Sequence, residues 1–402
     1  MLGFLKKKVI GDMMLNIFAV SLPIVTLQLI VYPYLSKVLS EEIYGLMLTF
    51  YSFWFVISNS LGNVLNNIRL LNVSEYQESN IKGDFNRLLI RYLGINFLLI
   101  ILLTIMYTGK LDVLEVMLSL LISSILLMKS YIEVGFRINL SYTDILIHNI
   151  LQSIGFLVGL LLVRYVGIWQ LLYLCGFSFS LIYSILKTDL LKEPFIKTKF
   201  YRNVKRQADI YSIANFSCSS ISYIDKLLLY PLMGGEAVSI YYTATIMGKM
   251  ISMVSGPITS VILSYISKWE KGKRKIFTKV LCVGGIISVF GYFITMLASG
   301  PVINLLFPQW ASEVMFFLPV TTIAVLVQTL NSFLDPFVLK FYDIKWQIVI
   351  NVSSIIVYVI SALIMWNTYG LMGFCVGTIL GNATKTMIMC TLHFSHELKK
   401  KL

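Results

Sequence analysis

Two apolar runs, 210–233 and 238–266, are separated only by Gly234, Gly235, Glu236 and Ala237. At about 1.5 Å of rise per residue each is long enough to cross the roughly 30 Å hydrocarbon core of a bilayer, and so short a connection makes them a helical hairpin. Asp225, Lys226 and Lys249 stand inside these runs. A charge within a membrane-spanning helix costs a few kcal/mol, so it faces a protein interior, a partner or a water-filled path. Asp225 lies about 12 Å from the turn and Lys249 about 16 Å, so opposite charges reach similar depth. That geometry suits a buried ion pair joining two helices, and it equally suits Lys249 lining a hydrophilic cavity that accepts an anion. Each charge belongs to a polar stripe at helical spacing. Asn215, Ser219, Ser222 and Lys226 form one, Thr245, Lys249, Ser252 and Gly256 the other, and both are expected to face inward.

The same kind of run recurs along the chain, near 13–35, 43–68, 88–108, 111–131, 145–164, 168–187, 210–233, 238–266, 276–300, 311–334, 345–366 and 370–392. Hydrophobic residues make up 57% of the chain and charged ones 13%, far from soluble globular usage. Long continuous runs, in place of ten-residue alternating segments, predict helices and exclude a membrane barrel. The expected fold is an all-α polytopic membrane protein of about 12 transmembrane helices. The first run contains Pro23 and has no small-residue cleavage site after it, so it is expected as a retained helix. The segment 301–310 is expected as a re-entrant turn or a loop. All five cysteines fall in apolar runs without metal spacing, which points to packing and to no metal or other cofactor.

Basic residues provide an independent test, because they concentrate on cytoplasmic loops. With an inside N-terminus, 26 of the 33 Lys and Arg fall inside, and only Lys37, Lys110 and Arg164 fall outside. Lys129, Lys226, Lys249 and Lys385 remain within spans. Both termini are therefore expected in the cytoplasm. The net charge of +13 matches an anionic inner leaflet, so membrane lipids are the expected partner and nucleic acid is not. The longest polar connection divides the chain into a six-helix bundle at 1–190, a cytoplasmic linker at 191–208 and a second six-helix bundle at 209–402. A faint repeat agrees: Asn16, Tyr32-Pro33 and Glu41-Glu42 are echoed by Asn215, Tyr230-Pro231 and Glu236 at nearly the same spacing.

Three segments resemble the polysaccharide transporters of the multidrug/oligosaccharidyl-lipid/polysaccharide superfamily, in particular the O-antigen flippases. They are Pro33-Tyr-Leu-Ser-Lys-Val-Leu-Ser-Glu-Glu-Ile-Tyr-Gly45, Tyr223-Ile-Asp-Lys-Leu-Leu-Leu229 and Ala237-Val-Ser-Ile-Tyr-Tyr-Thr-Ala244. Ser239 departs from the family, which usually carries glycine before the Ile-Tyr pair, and the departure bears on helix packing there. The resemblance implies two six-helix bundles enclosing a central cavity that opens alternately to either side. It implies a flippase for an undecaprenyl-pyrophosphate-linked oligosaccharide in a bacterial inner membrane, with no cofactor and no enzymatic step. Polysaccharide polymerase and chain-length machinery are the partners such a setting implies.

The candidate cavity residues come from charge and spacing. Lys249 and Lys385 are the expected cavity cations, with Lys226 nearer the outer mouth and Asp225 as a paired or coupling carboxylate. Ammonium groups among amides and hydroxyls suit an anionic, hydroxyl-rich cargo. Lys385 shares a stripe with Thr378 and Asn382, and snorkelling to the interface is its alternative. Ser52, Asn59, Asn63 and Asn66 form another stripe, able to bind sugars or to bridge helices. Lys129, Glu133 and Arg137, four residues apart, are expected as a charge-paired stripe, with Arg137 also placed to meet substrate phosphate. Asp335, before Pro336, is expected to end a helix. Two other functions compete. A cation-coupled drug exporter would need an intramembrane acid for cationic cargo, whereas bases outnumber acids here. A membrane enzyme of polysaccharide assembly would need a sizeable loop bearing catalytic acids or metal ligands, and the outward loops are short.

Overall fold

The computed structural model describes residues 2–109, 112–252, 259, 274–342 and 344–399. Among them every regular element is helical. Gly256, the rest of the run to residue 266 apart from Thr259, and the basic residues Lys110, Lys268, Lys271, Lys273, Lys400 and Lys401 lie outside the described residues.

The helices in chain order are α1 (Leu2–Thr26), α2 (Tyr32–Val38), α3 (Glu41–Trp54), α4 (Ser60–Glu78), α5 (Phe85–Thr108), α6 (Val113–Ile132), α7 (Val134–Ile138), α8 (Tyr142–Val166) and α9 (Gln170–Lys187). After them come α10 (Tyr201–Ser252), α11 (Arg274–Leu306), α12 (Ala311–Phe341) and α13 (Ile344–Lys399). Single π turns, Leu27–Val31 and Phe55–Asn59, join α1 to α2 and α3 to α4 without breaking the rod. The hairpin predicted at 234–237 is present: α10 is two helices meeting at Gly234, whose φ of 81° is a left-handed value that only glycine adopts readily. α13 breaks in the same way at Gly370.

Eight stretches among the described residues are long and apolar enough to cross a membrane. The last of them, Lys345–Ser395, contains the break at Gly370. The expected spans 43–68, 210–233 and 238–266 are not among the eight: Asn and Ser dilute the first, Ser with Asp225 and Lys226 the second, and much of the third lies outside the described residues. The segment 301–310 is a connection: α11 continues to Leu306, and one 3₁₀ turn, Pro308–Trp310, succeeds it.

The expectation that Asp335 ends a helix is overturned, since α12 runs through Pro336 to Phe341. Proline removes one backbone donor and so orphans the carbonyl four residues earlier. That carbonyl belongs to Ser332, and it accepts a hydrogen bond from Thr259 Oγ1 at 3.2 Å. With the freed acceptor satisfied by a neighbouring helix, the proline no longer terminates the rod.

The chain forms two compact units, residues 1–39 with 47–223 and residues 40–46 with 224–402. In the first, α8 and α9 pack along their lengths, α1 lies on α8, and α6 lies between α9, α5 and α4. Its core holds an aromatic cluster in which Trp54 stacks on Trp169 at 5.9 Å and meets Tyr173 edge-on at 5.6 Å. In the second, α12 packs between α11 and α13 around Phe277, Leu334, Phe337, Ile350 and Met389. Large apolar side chains such as Leu98, Leu102, Phe290 and Leu297 are exposed, as a lipid-facing surface requires.

Residues 40–46 are bound tightly into the second unit. Gly235 N–H donates to Glu42 Oε2 at 2.9 Å, Ser239 Oγ donates to the Glu41 carbonyl at 2.7 Å, and Trp310 Nε1 donates to Glu41 Oε1 at 2.5 Å. A Cβ on Gly45 would stand 1.9 Å from the Gly235 carbonyl oxygen, so the backbones touch. Ser239 is compatible with this close packing, because the approach is made at Gly45 and Gly235 while the Ser239 hydroxyl is hydrogen-bonded.

Candidate functional site

Three charges of the second unit converge at one place. The Lys226 ammonium donates to Asp225 Oδ1 at 2.9 Å, and the Lys249 ammonium lies 4.0 Å from Asp225 Oδ2. Both ammoniums sit over the Tyr242 ring, at 5.7 and 5.3 Å from its centroid. Asp225 and Lys249 thus reach the same depth, as helical rise predicted. The closer partner of Asp225 is nonetheless Lys226, because a four-carbon stem curls back to its own chain neighbour. Lys226 is deeply buried, with 4% of its side chain exposed, while Lys249 keeps 26%. With both lysines protonated, two cations share one carboxylate and the cluster carries one positive charge.

Lys385 is a further cation of this unit, and it is also paired. Its ammonium donates to Asp335 Oδ2 at 3.1 Å, an interaction that exists because α12 continues past the point where it was expected to stop. One turn earlier, Asn382 Nδ2 donates to the Ala324 carbonyl at 3.1 Å, and the Asn382 carbonyl accepts from Asn331 Nδ2 at 2.9 Å. Asn382 and Lys385 therefore bridge α13 to α12, while Thr378 Oγ1 donates to the Phe374 carbonyl of its own helix at 3.2 Å.

The amide stripe of the first unit reads differently from its sequence spacing. The π turn Phe55–Asn59 inserts one residue, which rotates the helix face before it by about 100° relative to the face after it. Ser52 therefore leaves the stripe and donates to the Leu48 carbonyl of its own helix at 2.7 Å. Asn59 Oδ1 accepts from Ser130 Oγ at 2.8 Å, and Asn66 Nδ2 donates to the Ser130 carbonyl at 2.9 Å, so both bridge α4 to α6. The helices come this close because Gly62 faces Leu127, where a Cβ would stand 2.5 Å from the carbonyl oxygen. Asn63 is half-buried.

Among the described residues Lys129, Glu133 and Arg137 make no close ion pair with one another, although the Glu133 carboxylate stands near enough to Lys129 to act on its charge. α6 ends at Ile132 and α7 begins at Val134, so the regular four-residue spacing is interrupted at Glu133. Arg137 turns instead to α4, donating from Nη1 to Asn66 Oδ1 at 2.7 Å and to Asn67 Oδ1 at 3.2 Å. Asn67 Nδ2 in turn donates to the Tyr211 hydroxyl on α10 at 3.2 Å. Further along α10, Asn215 Nδ2 donates to the Ser60 carbonyl at 3.0 Å and Ser219 Oγ accepts from Ser60 Oγ at 2.7 Å, so these two residues of the stripe face α4, while Ser222 is exposed. Asn67, Ser130 and Tyr211 were not singled out by spacing. Asn67 carries the signal that was available, since it continues Asn59 and Asn63 at four-residue intervals.

At the α4–α5 end of this unit a cavity of about 460 Å³ is lined by Arg69, Tyr76, Lys82, Phe85, Lys187 and Glu193, among others. Arg69 is engaged there by Glu193 and by the Tyr131 hydroxyl. Tyr76 donates to the buried Asp84 at 2.5 Å; burial, and then that hydrogen bond, pushes its phenol above its ordinary range. No group of three His, Cys, Asp or Glu fit to hold a metal occurs among the described residues.

No protein-family model and no curated protein matches the sequence. The fold does match solved membrane transporters. An inward-facing multidrug resistance MATE transporter of the MOP superfamily gives a TM-score of 0.69 at 13% identity, over 96% of this chain and 99% of that one. The lipid II flippase MurJ, in an inward closed conformation, gives 0.69 at 14% identity, over 97% of this chain and 86% of that one. An outward-facing MATE transporter gives 0.61 at 11% identity, over 97% and 96%. The expected all-α fold is thus observed, and it is shared with these solved structures along almost the whole chain.

Proposed function

We propose that this MOP-fold membrane protein is a flippase, moving an undecaprenyl-pyrophosphate-linked oligosaccharide across the bacterial inner membrane by alternating access between its two halves, 1–190 and 209–402. The observation that carries the reading is the charge at Asp225. One carboxylate is shared by Lys226 at 2.9 Å and Lys249 at 4.0 Å, so two bases stand against one acid, a donor-rich arrangement that suits a pyrophosphate better than a cationic drug. The fold shared with a lipid II flippase supports a lipid-linked cargo. Lys249 and Lys385 are assigned to the cargo path, with Asn63 for sugar hydroxyls. The polymerase and chain-length machinery of surface polysaccharide assembly would take up the delivered unit.

The second reading is a cation-coupled drug exporter, favoured by the equally good match to a MATE transporter. Cationic cargo needs a carboxylate without a resident partner, and both Asp225 and Asp335 already hold lysines. Reconstitution into liposomes decides between them. Purified protein is expected to move a fluorescent lipid-linked oligosaccharide between leaflets and to leave a cationic dye untouched. Dye export without lipid movement would reverse the assignment, and sugar transfer or elongation by the protein alone would establish an enzyme.

A further inference from the structure

We infer that Arg137, held in place by Asn66 and Asn67, is the residue of the first unit that binds the phosphate of the cargo. The identity of the cargo rests on the flippase reading; the chemistry, a pre-aligned guanidinium for a phosphate-bearing anion, rests on the site itself.

Charge pairing separates Arg137 from the other candidate cations. Lys226 and Lys249 share Asp225, Lys385 meets Asp335, and nearby Arg69 and Arg91 meet Glu193 and Asp209. Arg137 makes no ion pair among the described residues, and its two contacts, at 2.7 and 3.2 Å, are amide oxygens. An amide oxygen orients a guanidinium without cancelling its charge. Both bonds leave from Nη1, so the edge formed by Nη2 and Nε lies outside them. That edge presents parallel N–H donors at the spacing of two phosphate oxygens.

The amides are themselves anchored, which distinguishes a built receptor from a long side chain reaching for the interface. Asn66 is fixed by its bond to the Ser130 carbonyl on α6, and Asn67 by its bond to Tyr211 on α10. Three helices thus align one exposed arginine, and little ordering is left for a ligand to impose. Asn63 lies one turn from Asn67 on the same face of α4, half-buried, where its amide would meet the first sugar of a phosphate-linked chain.

The test uses the full-length protein in phosphatidylcholine nanodiscs, with inorganic pyrophosphate and farnesyl pyrophosphate as probes in a binding titration. Arg137→Ala is expected to weaken both at least tenfold, and Arg137→Lys to restore part of the loss. Asn67→Asp is the discriminating variant: it keeps the shape but places a carboxylate on the guanidinium, so it should weaken pyrophosphate as much as Arg137→Ala while leaving the melting temperature unchanged or higher. If Arg137 is only structural, Asn67→Asp binds pyrophosphate like the wild type, and the inference is overturned. Nanodiscs containing phosphatidylglycerol separate the two sources of phosphate. Displacement of the Arg137-dependent signal by phosphatidylglycerol, with farnesyl pyrophosphate inert, would make the ligand a membrane lipid and overturn the cargo assignment. Arg137-dependent pyrophosphate binding in a protein that moves no lipid-linked oligosaccharide would support the receptor and reject the flippase.

Discussion

A single carboxylate shared by two lysines makes Asp225 the residue on which the second unit's buried charge balance depends. Removing Lys249 leaves the Asp225–Lys226 pair at 2.9 Å intact, so Lys249→Ala is expected to insert at near wild-type abundance while transport per inserted molecule falls. Asp225→Ala strands two buried ammoniums, and breaking a buried pair from one side costs about 3 to 5 kcal/mol, so its abundance should drop sharply. Asp225→Ala combined with Lys226→Ala leaves one ammonium stranded in place of two and should recover part of that abundance. Quantifying inserted protein and surface polysaccharide for all three variants checks the assignment. Normal export by Lys249→Ala would remove Lys249 from the cargo path.

The helices meet at places where their own regularity is interrupted, and those places carry the strongest expectations about stability. A Cβ on Gly235 would stand 2.3 Å from the Glu42 carbonyl oxygen, and one on Gly45 would stand 1.9 Å from the Gly235 carbonyl oxygen. Backbone atoms on both sides leave nothing that yields easily, so Gly45→Ala and Gly235→Ala should each cost about 1 to 3 kcal/mol. Gly94, whose Cβ would meet nothing within 4 Å, is the control and should tolerate alanine. Thermal unfolding in detergent measures all three, and an unshifted Gly235→Ala would mean that the α3 start is not clasped there. At Pro336 a similar argument applies: Thr259→Val withdraws the donor from the part-buried Ser332 carbonyl and should cost about 1 kcal/mol.

At the scale of the whole molecule the asymmetry of basic residues predicts orientation. Both termini and the strongly basic loops should lie in the cytoplasm, with the turn at Gly234 outside. Gly235 is too closely packed to carry a reporter, whereas Glu236 beside it is exposed. In a cysteine-free background, Glu236→Cys in intact cells should react with a membrane-impermeant maleimide. Labelling of that position only after the membrane is opened would invert the topology. Loss of the gene should then stop surface polysaccharide assembly while the lipid-linked unit still accumulates.

Membrane helices, the turn at Gly234 and the common depth of Asp225 and Lys249 were legible in the sequence, because each depends on chain-local quantities: apolar run length, rise per residue and the special φ of glycine. The pairing of groups was not. Asp225 chose Lys226 because a flexible stem reaches its neighbour at no cost in depth. Lys385 found Asp335 because Thr259, from a different helix, satisfied the carbonyl that Pro336 had orphaned and so let α12 continue. Ser52 left its stripe because one extra residue in a π turn rotated the helix face, and Arg137 joined Asn66 and Asn67 because α6 broke at Glu133. Periodicity along a helix assumes an uninterrupted rod with partners on the same rod. Wherever a π turn, a break or a neighbouring donor violates that assumption, the tertiary structure alone decides which polar groups meet.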